Sequence, residues 1–252
     1  MAPTPYPAPT AFAQESAGPS AINWLVNPLA LASFSSGIFG SGCGLLPSQC
    51  QRLNSNVYSS TFHTDEQFER TYLAYVTALS AMGFLPQATL GIGGHRRLDR
   101  IASLIESCPY SIHDLSRVQI DRNVPSTPRF NMPFELGLAV AWARANRHHR
   151  WFAFESVKRR LAKSMSYLDG TDPYIHDGTV RGVMREVCNA FVRPNQPTVP
   201  QMMKMYRDLR RGVPEILHNA GTTSLFTARA FPDLCLAGAA LRNEYVGSHA
   251  IF

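Results

Sequence analysis

Charge is almost missing from the first fifty residues, where Glu15 is the only Asp, Glu, Lys or Arg; all the others lie in residues 51–252. Lysine is scarce too: Lys158, Lys163 and Lys204 are the only ones among 24 cations, and the rest are arginine. Arginine grips a discrete phosphate or carboxylate as readily as it coats a polyanion, so a net charge of +6 does not make nucleic acid the expected partner. No apolar run approaches the roughly 20 residues that span a bilayer, and no cation precedes the first apolar patch at 22–31 as a secretory signal requires. Neither a membrane protein nor a secreted one is expected. No CxxC pair occurs among Cys43, Cys50, Cys108, Cys188 and Cys235, which argues against zinc or dithiol chemistry and for reduced thiols in the cytoplasm. With 17% charged and 45% hydrophobic residues the chain is neither a coiled coil nor disordered, and no internal repeat is visible.

What is present divides the chain in three. Residues 1–54, rich in Pro, Ala, Ser and Gly, read as a low-charge flexible leader that could be deleted without loss of activity; the alternative is that Trp24 and its neighbours pack on the body or on a partner. Residues 55–195 alternate strand-like and helix-like segments, the pattern of an α/β fold with a doubly wound, mainly parallel sheet of about five strands. Strands are expected at 56–62, 85–90, 110–115, 151–154 and 173–175. Thr64 and Gln67 form a capping box ahead of a first helix carried by Phe68, Tyr72, Tyr75, Val76 and Leu79. Leu98, Ile101, Leu104 and Ile105 mark a second helix; Asn131 as N-cap, with Pro133 just inside, opens a third that runs to about residue 145; a fourth spans 179–191. Residues 196–252 contain no strand-like run, and Met202, Met205, Tyr206, Leu209, Leu234 and Leu241 predict a helical extension that covers the sheet or makes a dimer contact.

In an open α/β sheet, ligands bind beyond the carboxyl ends of the strands. The expected strands place these candidates there: Phe62 and His63 after the first, Gly93, Gly94, Arg96 and Arg97 after the second, His113, Asp114 and Ser116 at the third, then Arg129, Asn131 and Glu135 before the third helix. Glu135 in a first helical turn would be favoured as the ionised carboxylate, which suits a nucleophile or a cation stabiliser. Asp114 with Glu135 makes a carboxylate pair, the equipment for acid, base or nucleophilic work on a glycosidic bond. The Gly91-Ile-Gly-Gly94 turn with Arg96 and Arg97 reads either as a phosphate cradle or as a flexible turn with solvated arginines. The 169–177 segment, with His176 and Asp177, reads as a structured loop rather than a metal site, and Lys158, Arg159 and Arg160 as a solvated helix face. No metal or cofactor is expected.

The segment Ser111-Ile-His-Asp-Leu-Ser116, followed by Pro133-Phe-Glu-Leu-Gly-Leu-Ala139, resembles the nucleoside 2-deoxyribosyltransferase-like superfamily over residues 56–192. The resemblance implies a flavodoxin-like sheet, Glu135 as nucleophile at the sugar C1′, and Asp114 holding sugar hydroxyls or assisting the leaving base. The distantly similar TIR domains also use a Glu in N-glycosidic cleavage, acting on NAD. Two departures stand out: Cys108 and Pro109 occupy a region where the family often has an Asp, and Pro128-Arg-Phe-Asn131 replaces a small glycine-containing lead-in. The added cation hints at a substrate bearing phosphate. The expectation is thus an enzyme cleaving or transferring the N-glycosidic bond of a nucleoside, nucleotide or NAD-like ligand, built as a homo-oligomer; the alternative is a non-catalytic nucleotide-sensing or TIR-like interaction module.

Overall fold

The computed structural model describes residues 23–28, 62–88, 90, 97–118, 127–168 and 170–246. In chain order these form β1 (Asn23–Pro28), α1 (Phe62–Ala81), β2 (Phe84–Gln87), α2 (Arg97–Ser107), β3 (Tyr110–Asp114), α3 (Asn131–Ala145), β4 (Arg150–Glu155) and α4 (Arg160–Ser164). A 3-10 turn at Ser166–Leu168, β5 (Tyr174–Ile175), α5 (Val180–Ala190), α6 (Val199–Asn219) and α7 (Ala230–Tyr245) follow. The sheet order is β2-β1-β3-β4-β5. β3, β4 and β5 are parallel, while β1 pairs antiparallel with both β2 and β3, so the sheet is mixed.

Strand alternation sorts the side chains between two helical layers. Ile112, Phe152 and Phe154 join the main core with α1, α5, α6 and α7. On the opposite face Trp151 and Ala153 pack against α2 and α3 through Ile101, Ile105 and Ala139 at one end, and through Met132, Leu136 and Leu161 at the other. Since Ala139 meets Cys108, which precedes β3, whereas Leu136 meets Leu115, which follows it, α3 runs opposite to β3. Its first turns therefore lie level with the carboxyl edge of the sheet.

Four expectations need correction. The expected first strand falls at 56–62, yet 56–61 lies outside the described residues and Phe62 already belongs to α1. The strand at the sheet's second position is instead Asn23–Pro28, from the segment read as leader. Its Trp24 is buried and stacks on Tyr72 with centroids 5.2 Å apart, so an apolar side chain fixes this segment by burial where charge gives no signal. Deleting residues 1–50 would remove a strand hydrogen-bonded on both sides. Helix α1 begins ahead of the expected Thr64 cap and is buried nearly all round from Thr71 to Ala81, because α6 and α7 cover α1 rather than the sheet directly. Met202, Met205, Leu209 and Leu234 consequently share one core with sheet residues. Finally, the residue capping α3 is Phe130, and Asn131 lies inside the helix.

Candidate functional site

Three parallel strands end side by side, and each delivers one polar side chain to the carboxyl edge: Asp114 from β3, Glu155 from β4 and His176 just past β5. Asp114 Oδ1 accepts the backbone N–H of Ser116 at 2.9 Å and lies 3.5 Å from His176 Nε2. That Nε2 is 2.9 Å from Ser116 Oγ. The other ring nitrogen decides the polarity: Nδ1 accepts the backbone N–H of Gly178 at 3.1 Å, so it carries no proton and the hydrogen sits on Nε2. His176 therefore donates to Ser116 and Asp114. It takes no proton from the serine hydroxyl, and this Ser, His and Asp set is not a nucleophilic triad, which needs the opposite polarity.

Burial pushes the Asp114 carboxyl up, but the bond and charge of His176 and the two bonds from Ser116 outweigh it and hold the group below its ordinary value. Asp114 is an anion at neutral pH. Behind it, Tyr75 is buried, and desolvation together with the negative charges of Asp114 and Glu155 keeps its phenol protonated. Glu155, 1% exposed, is clamped by Arg160: Nε donates to Oε2 at 2.8 Å and an amino group donates to Oε1. The backbone N–H groups of Ser156 and Val157 complete its shell. Arg160 also donates to the carbonyls of Leu115 at 3.3 Å and Ser116 at 3.0 Å, tying the end of β4 to the end of β3. This is a structural clamp, so Arg160 is no solvated helix residue.

Glu135 sits in the second turn of α3, not the first, and is 7% exposed on the side facing the sheet. Phe130 and Phe134, one turn apart on the outer side, are 64% and 54% exposed. Asn131 is exposed and Arg129 half-buried at the same helix start. Asp114 projects with Tyr110 and Ile112 toward α1, whereas α3 covers the opposite face; the two carboxylates approach the edge from different sides of the sheet.

His113 departs from its expected place at the edge. It is buried on the α3 face, where Nε2 lies 3.0 Å from Ser111 Oγ, which lies 3.0 Å from His149 Nε2; His149 Nδ1 donates to the Cys108 carbonyl at 2.8 Å. Burial and the neighbouring His149 push the His113 ring down to about 3, so it stays neutral. Phe62, His63 and Arg97 open helices rather than follow strands, and their side chains, with Gly93, Gly94 and Arg96 entirely, lie outside the described residues. Sequence reasoning missed Tyr75, Glu155 and Arg160 as site neighbours and set His176 aside. A signal existed for Glu155, a carboxylate closing the apolar run Trp151 to Phe154.

Among the described residues no group of three or more His, Cys, Asp or Glu is placed to hold a metal ion, and no helix is long and apolar enough to cross a membrane. Comparison with family models, with curated proteins and with solved structures finds no match for this chain.

Proposed function

We propose that the chain is an enzyme of nucleoside 2-deoxyribosyltransferase-like type that breaks or transfers the N-glycosidic bond of a nucleoside, nucleotide or NAD-like substrate. The observation that carries this reading is a buried carboxylate, Glu135, set between the buried Met132 and Leu136 of α3, level with a sheet edge that presents a second, ionised carboxylate. The sheet order supports the finer assignment of a flavodoxin-like fold, since 2-1-3-4-5 is that fold's order, with β1 reversed in this chain.

In this reading the Glu135 carboxylate attacks C1′, the C1′–N bond breaks, and the base leaves with its bonding electron pair. Water or a second base then takes the glycosyl group from Glu135. Asp114 holds sugar hydroxyls rather than protonating the leaving base, because a carboxyl held below its ordinary value is a poor acid at neutral pH. The exposed Phe130 and Phe134 rings offer a base an apolar surface beside the nucleophile. Three described cysteines, Cys108, Cys188 and Cys235, are free and buried, which fits the cytoplasmic setting.

Incubating the protein with a nucleoside, nucleotide and NAD panel and separating free bases by chromatography tests the reading. The expected result is release of one base by the wild type and loss of turnover by at least about a thousandfold in Glu135→Gln, with an unchanged circular dichroism spectrum. Full activity in Glu135→Gln sinks the nucleophile. Nucleotide binding without base release favours the sensing module instead.

A further inference from the structure

We infer that two copies of this chain assemble through the outer face of α3, with the two helices packed antiparallel about a two-fold axis. This assembly is independent of the glycosidic reading and needs no ligand.

The composition of α3 sets the problem. Within residues 130–143 the only charged side chain is Glu135, and it is buried toward the sheet. The opposite side of the helix carries Phe130, Phe134, Gly137, Ala141 and Ala145, spaced three or four residues apart and all exposed. A helix that is apolar all round belongs in an interior. Yet the sheet and α2 cover one side of α3 and leave both phenyl rings more than half exposed. By contrast α1, α2, α5 and α6 each turn charged side chains to solvent, among them Arg70, Asp99, Arg185 and Lys204.

Charge and shape together select a second copy as the occupant. The chain carries a net charge of +6, so two copies repel one another and meet at least cost where neither presents a charge. The rings occupy the first half of the stripe and the small residues the second, so the stripe is complementary to itself when reversed. Antiparallel pairing sets Phe134 against the partner's Ala141 and Phe130 against the partner's Ala145, and the two-fold axis repeats both contacts. The same direction brings the positive end of each helix beside the negative end of the other. With 15 residues α3 is about 22 Å long. A seam of that length buries on the order of 1,000 Å² in total, the lower bound for a specific contact, so the dimer is expected to be weak and to depend on concentration. A phenyl ring has two faces, and the seam takes one of them, which leaves the other for a base beside Glu135.

Sedimentation velocity of the full chain tests the inference, with an expected monomer–dimer equilibrium whose Kd is about 1–100 μM. Ala141→Glu and Phe134→Lys, both at exposed positions, are each expected to weaken the dimer at least about tenfold with an unchanged circular dichroism spectrum. Leu236→Glu, at an exposed apolar position of α7, is expected to leave Kd within about twofold. Mixing the two α3 variants is expected to restore a dimer, because antiparallel pairing sets the introduced carboxylate beside the introduced ammonium, as parallel pairing does not. A wild type that stays monomeric at about 200 μM, a dimer indifferent to both α3 variants, an equal loss in Leu236→Glu, or variants that fail to associate when mixed overturns the inference. Should either α3 variant fail to fold, Phe130→Ser takes its place, and a wild-type Kd in that protein overturns the seam.

Discussion

Two serine–histidine chains flank strand β3, one on each face, and they have opposite fates. Toward α1, a backbone N–H from Gly178 reads His176 Nδ1, and the chain runs outward through Ser116 beside an ionised carboxylate at the sheet edge. Toward α3, a backbone carbonyl from Cys108 reads His149 Nδ1, leaving Nε2 bare; Ser111 must donate to it and so accepts from His113 Nε2–H. That chain ends at His113 Nδ1, which is buried and meets no hydrogen-bond partner among the described residues. The same side-chain types thus serve a candidate ligand edge on one face and a sealed interior on the other. The backbone group at one ring nitrogen sets each polarity, and the strand's alternation sets which chain reaches solvent.

The largest effect is expected at Gly182. Gly182→Ala forces a methyl group into the His176 carbonyl, and a loss of about 3 kcal/mol or more in thermal or denaturant unfolding is expected. A wild-type melting curve would show that the His176 turn does not depend on this contact.

Acid separates the two chains next. The sealed histidines are both held below their ordinary value, His113 at about 3, so the folded state refuses protons that the unfolded chain accepts from pH 6.5 downward. The contribution of His113 is full above pH 6.5 and falls by about 1.4 kcal/mol per pH unit as pH drops toward its folded value; His149 acts in the same direction. Asp114 also titrates below its ordinary 3.8, so its contribution is intact above that pH and is lost only as pH falls through its folded value. Between pH 6 and pH 4, roughly, His113 responds and Asp114 does not. Unfolding measured across that window should lose about one proton's worth of slope in His113→Leu; an unchanged slope would contradict a neutral buried ring.

Ser111→Ala leaves a bare nitrogen on His149 and an unmatched N–H on His113, for an expected loss of about 1–3 kcal/mol in denaturant unfolding. The smallest effect is expected at Gly137 in α3, where an added Cβ meets nothing within 4 Å: Gly137→Ala should raise stability by up to about 1 kcal/mol, read as a small increase in Tm.

Much of this fold is legible in the sequence, and the reasons differ by element. The apolar spacing of Leu98, Ile101, Leu104 and Ile105 is a local property, and α2 appears at Arg97–Ser107. Trp151 to Phe154 is an apolar run with turn signals around it, and β4 appears at Arg150–Glu155. The first strand is not local. Asn23–Pro28 has a proline at its end and lies in a stretch nearly without charge, and only pairing with β2 and β3 makes it a strand. The cap of α3 shifts from Asn131 to Phe130, which moves Glu135 from the first turn to the second. The candidate site was half visible: Asp114, Ser116 and Glu135 follow from strand ends and motif, while His176 lies 60 residues from the Ser116 it bonds.

By itself the sequence determined the elements whose driving force is periodic burial, the carboxylates at the strand ends, and the division between a charged body and a nearly uncharged start. Tertiary structure alone decided that part of that start belongs inside the sheet, because Trp24 finds Tyr72 and Tyr75 to bury against. It alone decided the two histidine polarities as well. A ring nitrogen is donor or acceptor according to the backbone group brought to it, and the groups that read His149 and His176 stand where the folded chain puts them: one 41 residues away and one two residues on, in a turn held by a glycine.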